Sequence, residues 1–226
     1  MINWTQIETV LLDMDGTLLD LHFDDHFWQV QVPTRFGERA GLGLSDALAA
    51  LAPVFKAREG TLDWYCLDFW SRELGLDIAA LKRETAHMIA VRHGATEFLQ
   101  SVRLLGKRQI LVTNAHPAAL ALKMERTGLA PLFDAIVSSH ALGMPKEDVA
   151  FWQALQKVQP FNSAHTLLLD DSLPVLRSAR AFGIAFPISI AQPSSKKPAR
   201  MIDEFHALNA FSDLLPAHVL SAGAAD

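Results

Sequence analysis

Four short stretches of the 226-residue chain carry polar residues whose types suit one kind of chemistry. Asp13 and Asp15 flank Met14 directly after the apolar run Thr9-Val10-Leu11-Leu12, and Thr113 and Asn114 follow Gln109-Ile110-Leu111-Val112. Lys146 comes after Pro145, ahead of a stretch with helical spacing, and Asp170 and Asp171 close the run Thr166-Leu167-Leu168-Leu169. Three carboxylates gathered in one pocket repel strongly at low dielectric unless a cation offsets them, and a hard divalent ion such as Mg²⁺ prefers oxygen ligands. A magnesium site is the expectation. One carboxylate can then attack a phosphoryl group while a hydroxyl and a lysine hold the phosphoryl oxygens. The inventory suits phosphoryl transfer.

These residues can meet only if the elements that carry them end at a common rim. The three apolar runs, with Ala135-Ile136-Val137 ending at Ser138 and Ile184-Ala185-Phe186, read as strands of a parallel sheet buried on both faces. Helical spacing runs between them over Pro117 to Thr127, with Gly128 as its stop, and over Glu147 to Val158 and Leu173 to Ala181. The alternation predicts an α/β fold. In an open parallel sheet the carboxyl ends of the strands form the usual ligand rim, near a topological switch point. Asp20 to His93 interrupts the pattern without a convincing strand. There Leu44, Leu48, Leu51 and Phe55 share a helical face with Ser45 as a candidate N-cap, and Leu62, Cys66 and Phe69 share another that begins near Thr61. The expected organisation is a sheet core over residues 1–19 and 94–226, with a helical cap inserted over residues 20–93. Gln192 to Arg200, with two prolines, two serines and three basic residues, reads as an exposed loop.

Composition excludes several classes. Twenty basic residues against 25 acidic ones give a formal charge of −5, so no chain-wide basic field exists for nucleic acid or an anionic membrane. The single cysteine, Cys66, cannot form an internal disulfide. The longest apolar run, around Ala181 to Ala191, is broken by Gly183 and Pro187 and falls short of the ~18–20 residues that span a bilayer. Met1 to Gly16 carries Glu8, Asp13 and Asp15 in its apolar stretch and does not read as a signal peptide, so cytoplasmic residence is the expectation.

Asp13-Met14-Asp15-Gly16-Thr17-Leu18, Thr113 after a strand, Lys146 before a helix and Asp170-Asp171-Ser172 after another strand resemble, in order, the four motifs of the haloacid-dehalogenase-like (HAD) superfamily of phosphatases. The resemblance extends from Val10 to the region of Ala185. It implies a Rossmann-like core with an inserted helical cap, and Mg²⁺ as cofactor. It makes Asp13 the nucleophile and a metal ligand. Asp15 is then the acid that protonates the leaving oxygen and the base that later activates water, its main-chain carbonyl also binding the metal. Thr113 and the amide of Asn114 would bind the phosphoryl group, Lys146 would neutralise nucleophile and phosphoryl oxygens, and Asp171 would be the further metal ligand. Asp170 would act from behind it or through water, though the two adjacent roles are exchangeable.

Within that superfamily, Asp63-Trp64-Tyr65-Cys66-Leu67-Asp68-Phe69-Trp70, Leu74 to Ile78, Thr113 to Pro117 and Pro145 to Asp148 resemble the bacterial GMP/IMP nucleotidases. This implies a small-molecule partner, a purine nucleoside monophosphate, and an aromatic cap surface on which a base could stack. The same motifs would serve a sugar-phosphate phosphatase or a phosphomutase, and a catalytically silent binding module could share the fold. A dehalogenase has no need of an acid at Asp15. Other residues read structurally first: Gly16 relieves crowding in a tight turn, which also lets backbone amides approach a phosphate, His116 before Pro117 caps a helix or touches ligand, and His22 and His26 share a helical face with no further ligand at a recognisable spacing.

Overall fold

Thr9–Leu12 forms β1, the central strand of a parallel sheet, because every residue in it is apolar or small and both its faces are covered. The computed structural model describes residues 2–215. After β1 the chain enters a helical segment with α1 (His22–His26), a wider π turn (Phe27–Gln31), α2 (Val32–Ala40), α3 (Leu44–Lys56), α4 (Leu62–Tyr65), α5 (Leu67–Leu74) and α6 (Ile78–Glu84). It returns to the sheet through α7 (Ala95–Leu104), β2 (Arg108–Thr113), α8 (Pro117–Thr127) and β3 (Ala135–Ser138). There follow α9 (Val149–Val158), β4 (Thr166–Asp170), α10 (Leu173–Phe182), β5 (Phe186–Ile190) and β6 (His206–Leu208).

The strand order β3-β2-β1-β4-β5-β6 places the topological switch at β1, whose neighbours are reached by crossovers in opposite directions. Leu12 pairs with Leu111 of β2 and Leu169 of β4, so Asp13 and Asp170 emerge one residue further on, side by side. The Asp13 amide donates to the Leu169 carbonyl at 3.0 Å and holds that alignment. Val10 and Leu12 face Phe98 of α7 with Leu111, Leu167 and Leu169, whereas Leu11 faces Phe151, Trp152 and Leu176 with Ile110 and Leu168. A third apolar cluster belongs to the helical segment, where Phe27, Leu51, Leu67, Trp70 and Ile78 close over Ala119 of α8.

Several expectations shift in detail. The last predicted run is not a strand over Ile184 to Phe186: β5 starts at Phe186, and Ile184 packs instead beneath α10 after the Gly183 stop. Pro187 lies inside β5 and cannot donate to a ladder, and pairing with β6 begins only after it, at Ile188. Strand β6, three residues long, carries no periodic signal. Helix α3 starts at Leu44 with Gly43 at its N-cap, so Ser45 is in the first turn. On the face predicted for α3, Leu51 is buried while Leu44 and Leu48 stay exposed. The Gln192 to Arg200 loop is exposed only in part, since Pro193 and Ser194 are buried. No helix among the described residues is long and apolar enough to cross a membrane.

Candidate active site

Lys146 is fixed before its side chain does anything. Its amide donates to Asn114 Oδ1 at 3.0 Å, and its carbonyl accepts from Trp152 Nε1 at 3.1 Å and from the Ser178 hydroxyl at 2.5 Å. From that anchored backbone the ammonium reaches Asp13 Oδ1 at 2.6 Å, Asp170 Oδ2 at 2.7 Å and the Val112 carbonyl at 3.1 Å. All three N–H donors of a lysine are thus used. Burial works against the charge on Lys146, but Asp13 and Asp170 outweigh it and raise its pKa.

Asp13, Asp170 and Asp171 each offer a carboxylate oxygen within 4.8 Å of the others. One lysine does not balance three acids. Burial, with Asp170 adding repulsion against the pull of Lys146, pushes Asp13 up to about 6. Burial and the charges of Asp13 and Asp170 push Asp171 well above the usual carboxylate range. A compact, all-oxygen, under-neutralised set of this kind fits a hard divalent cation. Asp170 has both oxygens engaged, one by Lys146 and one by the Ser172 amide at 2.9 Å. Asp171 is held through its main chain, whose carbonyl accepts from Arg200 at 2.7 Å. Gly16 packs against it: a Cβ there would lie 2.8 Å from the Asp171 carboxyl carbon, at a φ of +82° that already favours glycine. The turn and the acid pocket therefore share one requirement.

Thr113 Oγ1 accepts from the Ala115 amide at 3.0 Å, which leaves its own O–H free to donate. The Asn114 side chain is occupied: Oδ1 with Lys146 and Nδ2 with Glu147 at 2.9 Å. Its main-chain amide is what remains for a ligand. Glu147 also accepts from Tyr65 of the helical segment at 2.5 Å, tying that segment to the loop behind Lys146. His116 caps α8, its Nδ1 accepting from the Ala118 amide at 3.3 Å, and also faces the cavity. His22 and His26 lie side by side with ring centroids 6.3 Å apart.

Asp15 turns the other way. Its Oδ1 sits 2.6 Å from the ammonium of Lys123, which also meets Asp24 Oδ2 at 2.6 Å, while Asp24 Oδ1 meets Lys82 at 2.6 Å. Burial, the charge of Asp24 and that of Asp13 raise Asp15 to about 6 against the pull of Lys123. Burial would raise Asp24 as well, yet Lys123 and Lys82 hold it far below the usual range. Sequence reading missed Lys123, Lys82 and Asp24. Lys123 lies on α8 one helical turn after Ala119, and both are buried. Asp15, Asp24, Lys82 and Lys123 line, with Asp13, Lys146, Asp170 and Asp171, one cavity of about 460 Å³ that Trp28, Phe55, Trp64 and Tyr65 also line.

The family profile of haloacid dehalogenase-like hydrolases matches residues 7–183, and the chain belongs to that family. It is 40% identical over 216 residues to the GMP/IMP nucleotidase YrfG of Escherichia coli K12, covering 96% of this chain and 97% of the relative, with the same figures for YrfG of Shigella flexneri. Among solved structures, a HAD phosphatase from Thermococcus onnurineus superposes with a TM-score of 0.77 at 19% identity, over 92% of this chain and 96% of that one. The L-2-haloacid dehalogenase of Xanthobacter autotrophicus gives 0.61 at 21%, with the same two coverages. The fold is thus that of the HAD enzymes, and the chain is a hydrolase of the family.

Proposed function

We propose that the protein is a Mg²⁺-dependent 5′-nucleotidase that hydrolyses purine nucleoside monophosphates, GMP and IMP, through a phosphoryl group carried on Asp13. The observation that carries this reading is that one cavity is lined both by Asp13, Lys146 and the acid cluster and by Trp28, Phe55 and Trp64. Such a cavity suits a phosphate on one side and a flat base on the other. The 40% identity to nucleotidases along the whole chain supports the substrate class.

In this reading the core is residues 1–19 and 94–226 and the cap residues 20–93. Asp13, the main-chain carbonyl of Asp15 and Asp171 would hold the Mg²⁺, with Asp170 behind them because both its oxygens already take protein donors. When bound, the ion supplies positive charge against the phosphoryl oxygens and offsets the acid cluster. Asp13 attacks phosphorus, and the P–O bond to the ribose breaks as Asp15 gives its proton to the leaving oxygen. Asp15, now a carboxylate, takes a proton from the water that attacks the phosphoryl group on Asp13. Phosphate leaves and both acids return to their starting states. Thr113 O–H, the Asn114 amide and Lys146 stabilise the phosphoryl oxygens throughout. The cap's aromatic wall selects the leaving nucleoside, and a cytoplasmic location accords with that substrate.

A phosphate-release screen over nucleotides and small sugar phosphates, with and without Mg²⁺, tests the proposal. GMP and IMP should head the ranking only when Mg²⁺ is present. Efficient release from sugar phosphates with GMP and IMP untouched sinks the substrate claim, and equal turnover without a divalent ion sinks the metal claim.

A further inference from the structure

Lys123 is a core lysine with a side chain 2% exposed, and it has no place among the four motif positions. Taking an ammonium out of water costs several kcal/mol, so a lysine is kept there only by close partners. Its partners are Asp15 and Asp24, each at 2.6 Å. Asp24 is fixed in turn by Lys82, whose ammonium lies 4.8 Å and 4.3 Å from the ring centroids of Phe23 and Phe27. The result is a linear chain, Asp15–Lys123–Asp24–Lys82, with two positive and two negative members. It begins at the acid–base residue of the core and ends on α6 of the helical segment.

We propose that Lys123 is the positioning residue for Asp15, and that Asp24 holds Lys123 in place from the helical segment. The inference rests on the reading of Asp15 as acid and base. A carboxyl group can protonate a leaving oxygen only from one side chain orientation, within hydrogen-bond reach of that oxygen. Among the described residues no hydrogen bond reaches the Asp15 carboxylate; the charge closest to it is the Lys123 ammonium, 2.6 Å from Oδ1. Lys123 in turn is anchored at its far side by a residue that follows the core strand into the helical segment. Alignment of the acid is therefore coupled to seating of that segment, through a charge pair and not through the Mg²⁺ cluster.

The coupling predicts a leaving-group signature. An alkyl leaving group such as ribose needs the proton from Asp15 as the P–O bond breaks, whereas p-nitrophenolate departs without it. In Lys123→Met, kcat/KM on the best alkyl phosphate should fall by about 100-fold or more, the usual range for general acid catalysis, and on p-nitrophenyl phosphate by less than about tenfold. Lys123→Arg, which keeps the charge, should recover most of the alkyl rate. If Lys123→Met does not fold, the charge-balanced double variant Lys123→Met/Asp24→Asn carries the same expectation, since one positive and one negative member remain. An equal loss on both substrates, or no loss on either, overturns the proposal. Failure of the nucleotide reading has a different mark: the wild-type enzyme would leave GMP and IMP intact while its best alkyl phosphate still showed the signature in the variants.

Discussion

Two buried charge clusters meet at the cavity, and they differ in their balance. Around Lys146 stand Asp13, Asp170 and Asp171, three acids to one buried base, with the exposed Arg200 adding positive charge beside Asp171. Around Lys123 stand Asp15, Asp24 and Lys82, two acids to two bases. In the first, burial drives Asp13 and Asp171 toward their protonated forms. In the second, Asp24 is held firmly ionised by two ammonium groups. A cluster short of positive charge is completed by something from solution, whereas a balanced one completes itself and can only hold geometry. Asp15 spans the two, contacting Lys123 but still raised by burial and by the neighbouring acids.

The largest expected effect breaks the first cluster at the proposed nucleophile. Asp13→Asn should lower turnover by at least about 10⁴-fold, as loss of a covalent nucleophile does, with far-UV dichroism unchanged. Activity within tenfold of wild type would remove Asp13 from the mechanism. The second cluster should respond in stability. Asp24→Asn leaves two buried ammonium groups facing an amide, and breaking such a pair costs about 3–5 kcal/mol. Urea unfolding measures it. A cost below about 1 kcal/mol would mean that Lys82 and Lys123 find other partners or water, and the second cluster would lose its claim to hold geometry.

The two clusters also differ in how readable they are from sequence. Asp13, Thr113 and Asp170 each follow an apolar run, and a strand buried on both faces must end where polarity returns, so both the strands and the polar residues at their ends are legible. The parallel order follows from the alternation with helices. Lys123, Asp24 and Lys82 have no such marker. Lysine and aspartate on helices are normally solvated, and only the packing of α1, α6 and α8 against one another turns these three inward. Strand β6 and the true start of β5 were hidden for a related reason: Gly183 and Pro187 punctuate the run where the chain leaves α10, and an edge strand of three residues carries no period.

A smaller effect separates the clusters by pH. Asp13 keeps its proton up to about pH 6 in the folded protein, against 3.8 for the ordinary group. Between those values the folded state binds more protons than the unfolded one, so without metal the free energy of unfolding falls as pH rises, by up to about 1.4 kcal/mol per unit for one group. Asp24 has the opposite sign: its folded pKa is depressed, so its contribution is present above the ordinary carboxylate range and is lost only as pH falls below it. Thermal melts in chelator from pH ~4 to ~7 should therefore decline toward neutrality. Because a cation competes with these protons, the rise in melting temperature caused by Mg²⁺ should be greater at the upper end of that range. A flat profile would place the counter-charge inside the protein after all.

The smallest effect is the sharpest test of the imbalance, because its sign is unusual. Asp171 has no close basic side chain comparable to Lys146 on Asp13, and burial beside Asp13 and Asp170 makes its charge costly. Asp171→Asn removes one like charge from the pocket while keeping the shape that Gly16 packs against. The metal-free variant should be more stable than wild type by about 1 kcal/mol, a shift of roughly 2–4 °C in melting temperature for a chain of this size. Mg²⁺, which stabilises a protein only through the state it binds, should then add little to the variant at concentrations that raise the wild-type melting temperature. Destabilisation of the metal-free variant would mean that Asp171 is a structural acid held by Arg200, and the first cluster would have only two acids awaiting a cation.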